Sequence, residues 1–425
     1  MTAGCNADHP PRRGWSREAW NAAWLECYQV LVRVGWIFKT ETIIMPAVLD
    51  AVVDSGFLRG LLPVLNRGGQ SVPPLLLSGA VAGRPRKKWL LVATSLAMAA
   101  WFGVLAVAWQ PLQAARPDLL AVLFLVCYTL FSITIGLNQL VIAALQGKLV
   151  PPGHRGRMMV VSVSLGSVLA VVAALLLLGP WLEEDAGFPK IFAATAGFFA
   201  VAGLTPLWLD EPIDRPVAPR DSATSAADGG WRAALAADAA LVRLCTVAAC
   251  FSAVIMLFPH YQAFARDRLG SRSGSLLTWV VVQNLATGAA SLVAGPFSDR
   301  RGTRLVLVWL VGLSALTPLV VTGLSFLPHP LAVDWFWTVY VPLGLNPISL
   351  KIFTNYALEL APRPRDHARY VSLVGIALAA PFVLSPLVGW LVDGIGFRPV
   401  FLAGAAVIAA GAVLAARLPE PRRRD

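Results

Sequence analysis

The chain has 425 residues, 57% of them hydrophobic and only 14% charged, with 35 Lys and Arg against 24 Asp and Glu and a formal net charge of +11. A mean hydropathy of +0.66, with a charged fraction well under the roughly 25% of soluble domains, excludes a water-soluble globule. Apolar runs of about 20 residues, enough to cross ~30 Å of hydrocarbon, recur about twelve times, so an all-α polytopic membrane protein is expected.

No signal peptide is expected in residues 1–29, because Pro11-Arg-Arg13 leads into a tryptophan series rather than into a short apolar core. Trp15, Trp20 and Trp24 are spaced for an amphipathic helix at the headgroup level of the cytoplasmic side. The first six spans are predicted at Val30–Val53, Leu61–Val81, Trp89–Trp109, Leu119–Ala144, Met158–Leu178 and Ile191–Trp208, forming a bundle over 30–209. Asp210 to Asp238 is the one long polar segment, with Pro212, Pro216, Pro219 and Gly229-Gly230. It reads as a flexible cytoplasmic linker over 210–241, with a short surface helix at Ala233–Ala240. The remaining spans are Val242–Tyr261, Ser275–Ala294, Leu305–Phe326, Trp335–Leu358, Val371–Val392 and Val400–Ala416, a second bundle over 242–417 before a basic tail over 418–425.

Positive charge marks the cytoplasmic loops. Arg84, Arg86, Lys87 and Lys88; Lys148, Arg155 and Arg157; Arg300, Arg301 and Arg304; and Arg363, Arg365 and Arg369 follow spans two, four, eight and ten. Both termini are basic as well, whereas the opposite loop at Glu183-Glu184-Asp185 is acidic. Both termini are therefore expected in the cytoplasm. The basic residues are dispersed over separate loops, which argues against nucleic-acid binding. The five cysteines show neither a disulfide framework nor a metal spacing. No P-loop or nucleophile elbow is present, so neither an enzyme nor a cofactor is expected.

Gly295-Pro-Phe-Ser-Asp-Arg-Arg-Gly-Thr-Arg304 is a charged turn of pattern G-x-x-x-D-R-x-G-x-R between two apolar runs. A weaker copy runs from Gly79 through Arg84 to Lys88, with Gly83 in place of the acid and Arg86 in place of the turn glycine. Other landmarks recur at nearly half the chain length: Gly136-Leu-Asn138 with Gly344-Leu-Asn346, and Trp181-Leu182, Glu184, Gly187-Phe188 and Phe192 with Trp390-Leu391, Asp393, Gly396-Phe397 and Phe401. Two halves of six spans with one local grammar indicate parallel repeats about an axis normal to the membrane.

The twelve spans, the six-plus-six repeat and the charged signature resemble the major facilitator superfamily. That resemblance implies two six-helix bundles related by pseudo-two-fold symmetry, with a cleft that opens alternately to each side around a small solute. It implies a gating motif at Gly295, Asp299, Arg300, Gly302 and Arg304, with Arg157 as partner of Asp299. The amino-terminal counterparts Gly79, Arg84 and Lys88 are expected to latch less strongly. A monomer in a bacterial inner (plasma) membrane is expected.

Ionisable residues within spans are costly and mark function. Lys39 and Glu41 in span one, Arg67 in span two and Lys351 in span ten qualify. On a helix Lys39 and Glu41 would point about 200° apart, so Glu41 needs a partner on another helix, Arg67 or Lys351, while Lys39 can snorkel to the surface. Glu41 is either the proton-coupling residue or half of a static ion pair. The excess of cations suits an anionic or zwitterionic substrate. Gln70, Asn138, Gln139, Gln283, Asn284 and Asn355 are amides that can complete a pocket or join helices. His260 is read as an interfacial imidazole. The expected activity is a proton-coupled secondary transporter; the alternatives are a drug/proton antiporter, disfavoured by the absence of a glycine-rich pattern in span five, and a transport-inactive scaffold or sensor.

Overall fold

The computed structural model describes residues 16–184, 187–213, 235–236, 238–270, 275–363 and 366–421. The described residues contain helices and no strand, and they form twelve rods in two groups of six. Of the expected Ala233–Ala240 helix, residues 233, 234 and 237 lie outside the described residues, and Ala239 and Ala240 begin the seventh rod. Nine of the described helices are long and apolar enough to cross a membrane. The other three rods, the first, second and tenth, are broken or polar.

The first rod begins at Arg17, where the Ser16 hydroxyl accepts the Ala19 N–H at 3.2 Å and caps the helix. It runs unbroken to Ile37, so the expected surface helix and the first span are one helix. Trp20 donates its indole N–H to the Trp208 carbonyl at 2.9 Å, and Trp24 stacks on Trp208 at 4.9 Å. These rings fasten the helix to the sixth rod instead of floating among headgroups.

The helix stops before Pro46, which has no N–H to give and whose ring would strike the carbonyl four residues earlier. It resumes as Ile44–Asp50 with the proline tolerated in the first turn. Between the segments the Thr40 carbonyl gathers the N–H groups of Ile43, Ile44 and Met45 at 2.8–3.3 Å, and the Thr40 hydroxyl donates to the Ile37 carbonyl.

The second to sixth rods are Gly56–Ala82, Lys88–Ala115, Pro117–Leu149, Pro152–Glu183 and Gly187–Trp208. The seventh to twelfth are Ala239–Leu269, Ser275–Arg301, Thr303–Leu324, His329–Leu360, His367–Ile395 and Phe397–Ala416. Packing repeats between the groups: the third rod lies on the sixth and the ninth on the twelfth, the second on the fourth and the eighth on the tenth, the first on the fifth and the seventh on the eleventh. The recurring Gly-Leu-Asn has a physical reason. A Cβ at Gly136 would lie 2.7 Å from the Gln70 carbonyl oxygen, and one at Gly344 would lie 2.6 Å from that of Gln283. Each glycine lets its rod seat against its neighbour's backbone.

The first described residues and the last lie on one face, here the terminal face; the opposite one is the far face. The main contacts between the two groups lie toward the far face, where the second rod meets the end of the eleventh. Gly56 and Gly60 are spaced four apart on one rod, Ser385 and Gly389 on the other, the small-xxx-small arrangement that allows close helix approach in lipid. A Cβ on Gly60 would stand 2.3 Å from the Ser385 carbonyl oxygen, and one on Gly389 would stand 1.8 Å from that of Gly56.

Replacing Gly389 by Val should therefore cost about 1–3 kcal/mol of contact between the groups and loosen the far face. Labelling of a cysteine placed at Phe57 with a membrane-impermeant thiol reagent should speed up; an unchanged rate would show that the glycine seam does not hold the face shut.

Candidate functional site

The break in the first rod brings together what a helix would separate. The Lys39 ammonium lies 2.7 Å from Glu41 Oε1, with the Lys39 side chain fully buried and Glu41 23% exposed. Lys39 Nζ sits 3.4 Å from the Trp36 ring centroid and 4.7 Å from that of Phe131, so the cation has a carboxylate on one side and π faces around it. Two expectations are corrected here. Lys39 is not at the surface, and Glu41 finds its partner two residues away, because the intervening backbone is not helical.

Around this pair the second and fourth rods supply amides and a phenol. Asn66 donates to the Tyr128 hydroxyl at 3.0 Å and accepts from Gln70 at 2.5 Å. Arg67 is half-buried and acts on both Lys39 and Glu41 electrostatically. From the other group, Gln283 Oε1 accepts the Thr42 hydroxyl at 2.6 Å, a direct bond between the halves at the break. Lys351 and Asn355 are exposed, one helical turn apart on the tenth rod, and Lys351 and Arg33 of the first rod lie in each other's field.

Other candidates go elsewhere. Asn138 is buried and bonds Tyr28, Thr94 and Ser95 at 2.8–3.0 Å, which places it inside the first bundle as a helix-to-helix tie. Asn284 donates to the Val280 carbonyl of its own helix, and Gln139 is exposed. His260 is not interfacial but fully buried, with neither ring nitrogen hydrogen-bonded among the described residues.

A second polar cluster, not expected from the sequence, closes the far face. Arg59 is 2% exposed and reaches Asp50 at 3.0 Å, Asp54 at 3.2 Å and Asp393 of the other group at 3.7 Å. Arg266 of the seventh rod reaches Asp54 at 2.7 Å and Asp50 at 3.5 Å. Asp393 also accepts the Gly56 N–H at 2.8 Å, so the carboxylate meets the start of the second rod, where anions are favoured. Asp50, at the end of the first rod, belongs to this cluster rather than to the Lys39 pair.

On the terminal face, Gly302 turns with φ +96° between the eighth and ninth rods, a left-handed geometry suited to glycine. Arg304 donates its backbone N–H to Glu420 at 3.2 Å and its guanidinium to the Leu418 carbonyl. Lys88 does the same in the first group, its N–H to Glu211 at 2.8 Å and its ammonium to the Leu209 carbonyl at 2.8 Å. Glu211 further accepts the Lys87 N–H and the Lys148 ammonium, each at 2.8 Å. Each clamp ties loops within one group. Arg84 and Arg300 are exposed. The surroundings of Gly79 and Gly295 and the side chains of Arg157 and Asp299 are not described, and with them the expected Asp299–Arg157 contact.

Leu209-Asp-Glu-Pro212 and Leu418-Pro-Glu-Pro421 stand at the same spacing as the tryptophan landmarks, so a signal for the clamps was present. For Arg59, Asp54 and Arg266 nothing local marked a meeting across the halves.

A sequence profile described as Major Facilitator Superfamily matches residues 70–282 and 266–425. No curated protein matches the chain. Among solved structures, a mutant of the nucleoside transporter NupG is 14% identical, with a TM-score of 0.70 over 93% of this chain and 99% of its own. A POT family transporter in complex with 5-aminolevulinic acid is 12% identical, with a TM-score of 0.70 over 95% and 96%. A D-xylose-proton symporter is 14% identical, with a TM-score of 0.66 over 93% and 98%.

Removing one member of the buried pair should cost more than removing both. Glu41→Leu leaves Lys39 buried without a counter-ion, a loss of about 3–5 kcal/mol, whereas Lys39→Met with Glu41→Leu should recover most of it. Thermal unfolding in detergent checks this, and equal losses in both variants would contradict a paired buried charge. At the far face, burial alone would raise the Asp54 carboxyl, but Arg266 and Arg59 outweigh it and hold it below the usual carboxylate range. Its contribution to closure is then complete at neutral pH and is lost only as pH falls through that lowered value. Thiol labelling at the far face, taken relative to an exposed control cysteine because acid removes the reactive thiolate, should rise on strong acidification in the native chain, and less so in Asp54→Asn.

Proposed function

The chain belongs to the Major Facilitator Superfamily, and we propose that it is a secondary active transporter moving a small solute by alternating access through the cleft between its bundles. One observation carries this: a charged pair sits at a helix break inside the membrane, beside a hydrogen bond that joins the halves. Such a position is costly for stability and suits a site whose occupancy is communicated to both bundles.

Loop charge supports a cytoplasmic terminal face. In this reading the protein is a monomer of a bacterial inner membrane with both termini inside, its bundles span residues 30–209 and 242–417 about a cytoplasmic linker, and the far-face seal leaves the cleft open to the cytoplasm. The transition to the outward state separates the glycine seam and the Arg59 and Arg266 pairs, while the terminal face closes.

Coupling to protons runs through Glu41, the partly exposed member of the pair. A proton arriving at Glu41 removes the attraction that holds Lys39 over Trp36 and leaves a buried ammonium uncompensated. Relief of that cost favours rearrangement of the break, and with it of the Thr42–Gln283 contact. Alternating access then links proton occupancy to solute movement.

In proteoliposomes, an imposed pH gradient should drive solute accumulation in the native protein. Glu41→Gln keeps an acceptor for Lys39 but cannot change charge; it should abolish gradient-driven accumulation while retaining solute exchange at equal pH. Undiminished gradient-driven flux in Glu41→Gln would rule out Glu41 as the coupling group.

A further inference from the structure

Four cations, Arg33, Lys39, Arg67 and Lys351, lie on the first, second and tenth rods, and the carboxylate beside the break is Glu41. Glu41 is already engaged by Lys39 at 2.7 Å, so the pair is neutral as a unit. Among the described residues none of Arg33, Arg67 and Lys351 forms an ion pair. Arg33 donates Nε–H to the Ser167 hydroxyl at 3.0 Å, a neutral partner on the fifth rod. Its stem is fixed against Gly166, where a Cβ would lie 2.9 Å from the Arg33 Cδ. The guanidinium is therefore positioned rather than loose. Lys351 stands exposed beside Asn355 on the opposite bundle.

Building on the transporter reading, we infer that the solute is an organic anion bearing a carboxylate, held between Arg67 and Arg33 of the amino-terminal bundle and Lys351 of the carboxy-terminal one. Cations that form no close ion pair inside a membrane span are unfavourable, and an anion entering the cleft relieves them together. Guanidinium forks match the planar carboxylate bidentately, while the compact Lys351 ammonium supplies a point charge from the other side. A zwitterion fits less well, because Glu41 is already engaged by Lys39. A cation meets only repulsion.

The same arrangement makes the solute part of the closing step. Arg33 and Lys351 lie on different bundles and repel each other, which resists approach of the halves on the terminal face. A bound carboxylate converts that repulsion into two attractions and lets the halves come together. The empty carrier is held back from closing by its own charges, so transport without substrate is suppressed.

The test uses the full chain, purified in detergent for thermal unfolding and reconstituted for counterflow. Probes are benzoate and succinate, their neutral counterparts benzamide and succinamide, zwitterionic betaine and cationic tetraethylammonium. Expected are stabilisation and counterflow by at least one of the carboxylates and neither by the other probes, with Lys351→Gln weakening carboxylate binding roughly tenfold and Lys351→Arg restoring most of it. Lys351→Glu should remove carboxylate binding; if it misfolds, the Gln and Arg pair still decides. The inference is overturned if benzamide, betaine or tetraethylammonium binds as well as the carboxylates, or if carboxylate binding is unchanged in both Lys351→Gln and Arg67→Gln. Counterflow of neutral or cationic solutes alone would overturn the anion class and keep the transporter, whereas absence of flux for every probe would count against both.

Discussion

An ammonium and a carboxylate in the middle of a bilayer must meet each other or meet water, and the first rod gives up its helix between Ile37 and Ile44 so that Lys39 and Glu41 can meet. Much of the centre depends on that concession. Freed from helical geometry, Thr42 reaches Gln283 of the other bundle, and Trp36 and Phe131 close over the ammonium. The break itself follows from Pro46, a residue that cannot continue a helix from Thr42. A backbone rule thus creates the place where charge can be kept within the membrane.

The rods that fall short of a simple membrane span are the ones that hold the polar centre. The first carries Arg33, Lys39 and Glu41, the second Arg59 and Arg67, and the tenth Lys351. The remaining nine are apolar enough to define the slab; these three are stabilised by what they touch rather than by lipid. Apolar spans and polar contacts thus fall on different helices. The Glu211 and Glu420 clamps serve the same division, each fixing the loops of one bundle to its own end.

Hydropathy and repetition made much of the architecture legible. Apolar runs located the rods, and the Gly-Leu-Asn repeat marked two seats that the fold uses, at Gln70 and at Gln283. Legibility ended where a contact depends on two distant segments. Lys39 and Glu41 were assigned to opposite sides of a helix because periodicity assumes a helix, although Pro46 already spoke against one. The glycines at 56, 60 and 389 carry little meaning until the halves are juxtaposed, and Arg59 looks like a helix-end charge until Asp393 arrives from more than 300 positions away. Asn138, by contrast, has the composition of a pocket residue and the partners of a packing residue.

The far-face seal combines forces of unequal range. Opposite charges on Arg59, Arg266, Asp54 and Asp393 attract across several ångströms of water, up to a screening length of about 8 Å at physiological salt, whereas the glycine seam acts only once the backbones touch. The charges therefore govern how often the two edges find each other, and the seam governs how long they stay. Dissolved salt at that face would slow the meeting and barely shorten the embrace, so one face of the molecule responds to its ionic surroundings through tempo rather than through strength.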